Sequence, residues 1–159
     1  MPNYKLKRNQ FIPQPINQVF PFFSKPENLE IITPRDLHFS ILTSKPIDMK
    51  TGQVIDYLIR LKGIKMYWSS VISSYDPPYS FVDEQIRGPF SNWIHSHNFK
   101  EINGGTIITD HIEYSIPFKL IGRIANYIFV ERKLVDIFDY REKTIMDIFN
   151  NHSDVCLEI

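Results

Sequence analysis

The sequence predicts an α+β fold: a curved antiparallel sheet of about seven strands wrapped around a long C-terminal helix, with two short helices after strand 1. Three observations predict it. From Leu37 to Pro117 apolar and polar residues recur with a period of two, as in strands with one covered face. Beyond Pro117 the period changes, and Leu120, Ile121, Ile124, Ile128, Leu134, Val135, Phe138, Ile145 and Phe149 recur mostly at steps of three, four or seven. That is the stripe of an amphipathic helix, which cannot bury itself alone. Ahead of Leu37, a strand-like opening gives way to two brief helical patterns punctuated by prolines.

Residues 4–12 suit the first strand through Tyr4, Leu6 and the Phe11-Ile12 pair, and Pro13 and Pro15 end it. Ile16, Val19, Phe20 and Phe23 then follow a short helical spacing that stops around Ser24-Lys25-Pro26. In the next segment, PENLEIITP, proline stands at a helix start, acids come early, and Pro34 is a stop. The segments 37–45, 53–61, 64–75, 80–87, 92–102 and 105–116 read as strands. Asp48–Gly52, Lys62-Gly63, Asp76-Pro77-Pro78, Gly88-Pro89 and Asn103-Gly104 are the turn signals between them. The short connections predict antiparallel hairpins. The helix spans about 118–149, nearly 50 Å at about 1.5 Å per residue. Lys119, Arg123, Lys133, Asp136, Glu142, Lys143 and Asp147 fill much of its other side, and Glu131-Arg132-Lys133 interrupts the stripe. With no linker, repeat or low-complexity run, residues 1–159 read as a single domain.

Strand parity assigns the faces. A two-residue turn at Asn103-Gly104 sets His97 opposite Asp110, His95 opposite Ile112 and Trp93 opposite Tyr114. One face then collects Trp93, His95, His97, Phe99, Ile108, Asp110, Ile112 and Tyr114, and as the apolar face it should meet the helix. The turn at Lys62-Gly63 places Ile55, Tyr57, Ile59, Met66, Trp68, Ser70 and Ile72 together. A four-residue loop from Asp76 to Tyr79 adds Phe81, Asp83, Gln85 and Arg87 to that face. A four-residue loop at Gly88–Ser91 would break the continuity by aligning Glu84 with the histidines, so an odd-length loop or a bulge is expected, placed here at Gly88-Pro89.

His95, His97 and Asp110 are thus ionisable groups on an apolar face. His97 with Asp110 is the expected couple, since buried polar groups need partners. A carboxylate that orients a histidine is also how a general base is built, which makes His95, His97 and Asp110 the candidate catalytic residues. Arg141 falls in the buried register of the helix beside Phe138. It is either a snorkelling surface arginine or a cation fixing an anionic ligand head.

Composition narrows the classes. Lys plus Arg and Asp plus Glu both number 18, for a formal net charge of zero, which gives no support to a nucleic-acid partner. Aromatic residues make up 14 % of the chain, suiting a large core or the wall of an apolar cavity. A single cysteine, Cys156, precludes a disulfide within the chain, and no stretch has the length of a membrane span. Both fit a cytoplasmic protein, monomeric or homodimeric. There is no Gly-rich phosphate loop, no Gly-x-Ser-x-Gly elbow and no Cys–His pairing, so the common nucleophilic hydrolases lack support. No cofactor is expected.

The order of elements resembles the START-like superfamily (SRPBCC) with its helix-grip fold, over nearly the whole chain. It is most similar to small bacterial ligand-binding SRPBCC proteins, through Pro78-Tyr79-Ser80-Phe81-Val82-Asp83-Glu84-Gln85, Gly88-Pro89-Phe90, Trp93-Ile94-His95-Ser96-His97, Gly105-Thr106 and Asp110. The resemblance implies binding of a small hydrophobic ligand, a lipid, polyketide, isoprenoid or aromatic, between sheet and helix. The expected apolar walls are Tyr57, Ile59, Trp68, Phe81, Trp93, Phe99, Ile112, Tyr114, Ile124, Ile128, Leu134 and Phe138. The expected polar residues are Asp83, Gln85, His95, His97, Asp110 and Arg141. The alternative is an enzyme like the polyketide cyclases and aromatases, using a His–Asp acid–base pair in the same cavity. His-x-His with a carboxylate also allows two-histidine, one-carboxylate ligation; the family is not characteristically metal-binding, and no metal is expected. Along the helix, Leu120 to Ile128 is expected to form the cavity wall and gate, and Leu134 to Phe149 to pack as core.

Overall fold

The period-two region forms one seven-stranded antiparallel sheet in the computed structural model, which describes residues 3–117, 124 and 126–153. The strands are β1 (Tyr4–Ile12), β2 (Ser40–Ile41), β3 (Val54–Leu61), β4 (Ile64–Asp76), β5 (Ser80–Arg87), β6 (Asn92–Ile102) and β7 (Gly105–Ser115). They lie in the order β1-β7-β6-β5-β4-β3-β2. Strands β2 to β7 neighbour one another in sequence order because short connections leave no other antiparallel choice. β1 instead pairs with β7, from Tyr4 opposite Tyr114 to Ile12 opposite Thr106.

The helices fill one side. α1 (Ile16–Phe23) buries Ile16, Val19 and Phe20, the spacing seen in the sequence. α2 (Leu29–Ile32) lies between 3₁₀ turns at Pro26–Asn28 and Arg35–Leu37. α3 (Glu131–Ser153) is the C-terminal helix, preceded by a π-helical turn at Asn126–Val130. The helix ends later than the expected 118–149, and Ile124 within that span is also helical. Leu120 and Ile121 of that expectation lie outside the described residues. The three charges at Glu131-Arg132-Lys133 mark the junction of π and α geometry, where the stripe changes phase. Lys133 turns there to meet Asp36, its Nζ 2.6 Å from Oδ2.

The expected strand at 37–45 shortens to Ser40–Ile41 for local reasons. Leu37 closes a 3₁₀ turn and His38 sits in the left-handed region with φ 42°. Side chains then satisfy the backbone in place of a ladder: Ile41 N donates to Glu30 and Ile47 N to Glu27, each at 3.0 Å.

Register follows the turns. Lys62 and Gly63 both have positive φ, 48° and 83°, the geometry of a tight I′ hairpin, and Tyr57 pairs with Trp68 as expected. The β4–β5 turn is shorter than expected, with Asp76 opposite Ser80. A bulge between Ile72 and Ser74 restores the parity, so Ile72 meets Asp83 and Ser70 meets Gln85. Between β5 and β6, Glu84 pairs with Ile94, Asp83 with His95 and Phe81 with His97. The odd step thus lies at the Gly88-Pro89 connection. Gln85 stabilises that connection, donating to Phe90 O at 2.8 Å and accepting from Phe90 N at 3.3 Å. A Cβ at Gly88 would lie 2.3 Å from Gln85 Oε1, so glycine leaves room for this brace.

Two apolar clusters result. The first joins Ile12, Val19, Phe20, Phe81, Phe99, Ile108, Ile145 and Phe149. The second joins Trp68, Trp93, Ile112, Tyr114, Leu134 and Phe138.

Candidate functional site

The concave face of the sheet, the two short helices and α3 enclose a cavity of about 330 Å³. Its walls are overwhelmingly apolar. Of the expected residues, Tyr57, Ile59, Trp68, Phe81, Asp83, Trp93, His95, His97, Asp110, Leu134, Phe138 and Arg141 line it. Phe99, Ile112 and Tyr114 do not line it and pack within the two clusters. Gln85 is occupied with Phe90. Ile124 and Ile128 are 54 % and 62 % exposed and lie off the cavity. Of the gate expected at Leu120 to Ile128, Leu120 to Arg123 and Ala125 lie outside the described residues; among the described residues the helical contribution comes from Phe129, Val130, Lys133, Leu134, Ile137, Phe138 and Arg141.

Sequence reasoning missed the contribution of the short helices, where Phe23, Leu29, Ile32 and Leu37 cap one end of the cavity. Their helical spacing signals burial and gives no hint of what they are buried against.

The polar groups converge at one place. His95 and His97 from β6 are 5 % and 7 % exposed. Asp83 flanks them from β5 and Asp110 from β7. The expected His97–Asp110 couple is not the aligned one. His95 Nε2 lies 2.9 Å from Asp110 Oδ1, and His97 Nε2 lies 3.1 Å from Asp83 Oδ2. Both are diagonal pairs, since Asp110 stands directly opposite His97 and Asp83 directly opposite His95. Sheet twist shortens one diagonal at the expense of the other, and a histidine is long enough to use it. His97 Nδ1 also comes within 2.9 Å of Asp110 Oδ1, without the alignment of a hydrogen bond. The imidazole rings are 3.7 Å apart, and Phe81 stacks on His97 at 4.1 Å.

Charge follows from this geometry. Burial works against ionising Asp83 and Asp110, but their histidine partners outweigh it and hold both carboxyl groups below the usual carboxylate range. The histidines diverge. Burial and the neighbouring His97 push His95 down, whereas the two aspartates overcome burial at His97 and raise it. Arg141 is part of the same field. Its guanidinium carbon lies 5.0 Å from the centre of the Phe138 ring. Burial lowers its pKa, while Asp110 and Asp83 act against that fall, and an arginine so placed remains charged. Its buried Nε has no hydrogen-bond partner. Arg141 is thus a cavity residue rather than a snorkelling one. With His97 protonated, two carboxylates face two cations.

A second polar strip crosses the floor. Trp68 Nε1 donates to Ser70 Oγ at 3.0 Å, and Tyr57 Oη is 3.0 Å from the same oxygen. Burial and Asp83 push the Tyr57 phenol up, so it stays neutral.

No family model matches the chain, and no curated protein matches it. Solved structures do. A protein of Thermus thermophilus superposes with a TM-score of 0.71 at 14 % identity, covering 96 % of this chain and 99 % of that one. A protein of Chromobacterium violaceum gives 0.71 at 12 %, covering 91 % and 96 %. Ginseng major latex-like protein 151 from Panax ginseng gives 0.67 at 15 %, covering 92 % and 97 %. At such identities the likeness establishes the fold alone: a seven-stranded sheet around a C-terminal helix, the helix-grip arrangement. Among the described residues, no helix is long and apolar enough to cross a membrane.

Proposed function

We propose that this protein binds a small hydrophobic ligand with one polar end, of the lipid, polyketide, isoprenoid or aromatic kind, as a non-catalytic module. One observation carries the reading: a cavity of about 330 Å³ with mostly apolar walls, in which Asp83, His95, His97, Asp110 and Arg141 converge at one place. Apolar walls remove the ligand's body from water, and a few fixed polar groups orient its head. The likeness of fold supports the same reading without choosing a ligand.

Native mass spectrometry of protein purified from its own host tests it. The expected result is a co-purifying small molecule, displaced by anilinonaphthalene sulfonate in solution. A folded protein that carries nothing and does not bind the dye overturns it.

A second reading is a cyclase-like enzyme, favoured by the two histidines whose pKa values move in opposite directions beside the cavity. Divergent neighbours of this kind can divide acid and base roles. Model polyketide substrates discriminate. Turnover that is lost in His97→Ala and Asp110→Ala supports the enzyme. Ligand binding that survives both substitutions, with no turnover in the parent, supports the binding module.

A further inference from the structure

Asp83, His95 and His97 each offer a donor atom, and the three atoms lie within 4.8 Å of one another. Asp83 Oδ2 is 3.1 Å from His97 Nε2 and 3.6 Å from His95 Nδ1. Donors held about 2.1 Å from a common centre in tetrahedral array stand roughly 3.4 Å apart, so these separations bracket those of a metal site. The opposite edge of each imidazole is also provided for. His95 Nε2 and His97 Nδ1 both lie 2.9 Å from Asp110 Oδ1. Each ring therefore turns one nitrogen to Asp83 and the other to Asp110.

This division is what a metal centre requires of its histidines. A ligating imidazole gives its second N–H to a carboxylate that fixes tautomer and orientation. Here one carboxylate serves both rings. His97 Nδ1, buried and without an aligned hydrogen bond, is the position that such an arrangement would align. We propose that Asp83, His95 and His97 form a mononuclear site for a divalent first-row transition metal of the zinc type, with Asp110 as the positioning residue behind the histidines.

The donor set excludes other cations. Two imidazoles and one carboxylate suit zinc and its neighbours, whereas calcium and magnesium take oxygen ligands. Charge agrees in sign: Asp83 and Asp110 beside Arg141 leave the site net negative, which favours a cation. Asp83, His95 and His97 all border the cavity, so three protein ligands leave the remaining position toward it, the pattern of open rather than structural zinc sites. The inference stands apart from the ligand reading, because the metal can bind whether or not an organic molecule does.

The test uses the full chain, treated with a chelator, dialysed and titrated with zinc alone by calorimetry and imidazole-nitrogen NMR. The expected result is one equivalent bound per chain, with the ring nitrogens of His95 and His97 shifted and those of His38, His111 and His152 unmoved. Asp83→Asn should abolish the binding, Asp110→Asn should weaken it about 10- to 100-fold, and His111→Ala should leave it unchanged. The NMR measurement on the parent protein decides the matter even where a variant fails to fold. Absence of saturable binding, shifts at His38, His111 or His152 instead, or undiminished binding by folded Asp83→Asn overturns the proposal.

Discussion

Leu134 and Phe138 in one half of α3, and Ile145 and Phe149 in the other, belong to one helical stripe and are all buried. Their surroundings differ. Ile145 and Phe149 enter a closed cluster with Ile12, Val19, Phe20 and Phe99, in which Phe149 meets Phe22 edge-on at 5.4 Å. Leu134 and Phe138 border the cavity, and Phe138 meets His95 at 5.7 Å. The difference teaches that a periodic stripe, even where it is covered, does not say whether the cover is solid or hollow. It also places the histidine–aspartate cluster where the two clusters meet, with Phe81 of the first against His97 and Phe138 of the second against His95.

The largest expected effect separates the two halves directly. Ile145→Ala should cost about 2–5 kcal/mol, because the closed core cannot collapse onto the missing atoms. Leu134→Ala enlarges a space that already exists and should cost about 1–2 kcal/mol. Urea unfolding of both variants checks this, and equal costs would erase the distinction between the halves.

Acid stability is the next lever, measured as urea midpoints against pH in the presence of a chelator. The depressed Asp83 and Asp110 contribute stability that is present above their unfolded value of about 4 and is lost as pH falls through their folded values. The parent should weaken steeply below about pH 4, and Asp110→Asn should weaken less there. Near neutrality the histidines oppose each other. Raised His97 stabilises below about pH 6.5 and loses that contribution as pH rises through its folded value, while lowered His95 costs stability below the same point. The parent should therefore be most stable near about pH 6.5 and weaken to either side of it. A pH profile in Asp110→Asn that matches the parent throughout would show that the histidine–aspartate cluster is not ionised as described.

Filling the hollow half is a smaller intervention. Leu134→Trp should weaken dye binding about tenfold or more, or about 1.4 kcal/mol, while Ile145→Val leaves it unchanged. Fluorescence titration reads both, and loss of binding by Ile145→Val alone would reverse the assignment of the halves. The smallest effect is expected at the rim, where Lys133→Ala breaks the partly exposed pair with Asp36. Its stability change should stay below about 1 kcal/mol; a larger loss in thermal unfolding would show that the rim carries packing.

Much of this site was legible from spacing. The Asn103-Gly104 turn sets the β6–β7 register that brings Trp93, His95, His97 and Asp110 to one face. Asp83 was legible only conditionally, because its facing depended on the odd step at Gly88-Pro89. That step rests on Gln85 folding back to Phe90, a contact with no periodic signature. The diagonal choice of partners and the cavity positions of Phe129 and Val130 had no signature either, whereas Arg141 was marked by its place in the buried register of the helix.

By itself the sequence determined the order of elements, the parity of the β3–β4 and β6–β7 hairpins and the existence of an amphipathic stripe. Those are consequences of alternating side chains and of the helical repeat, which the covalent chain carries locally. Only the tertiary structure decided that His95 pairs with Asp110 and His97 with Asp83, that Arg141 points into their field, and that half the stripe lies over a hollow. These depend on sheet twist and on the volume left when all the elements pack together. Such quantities belong to the assembled fold and to no single segment of it.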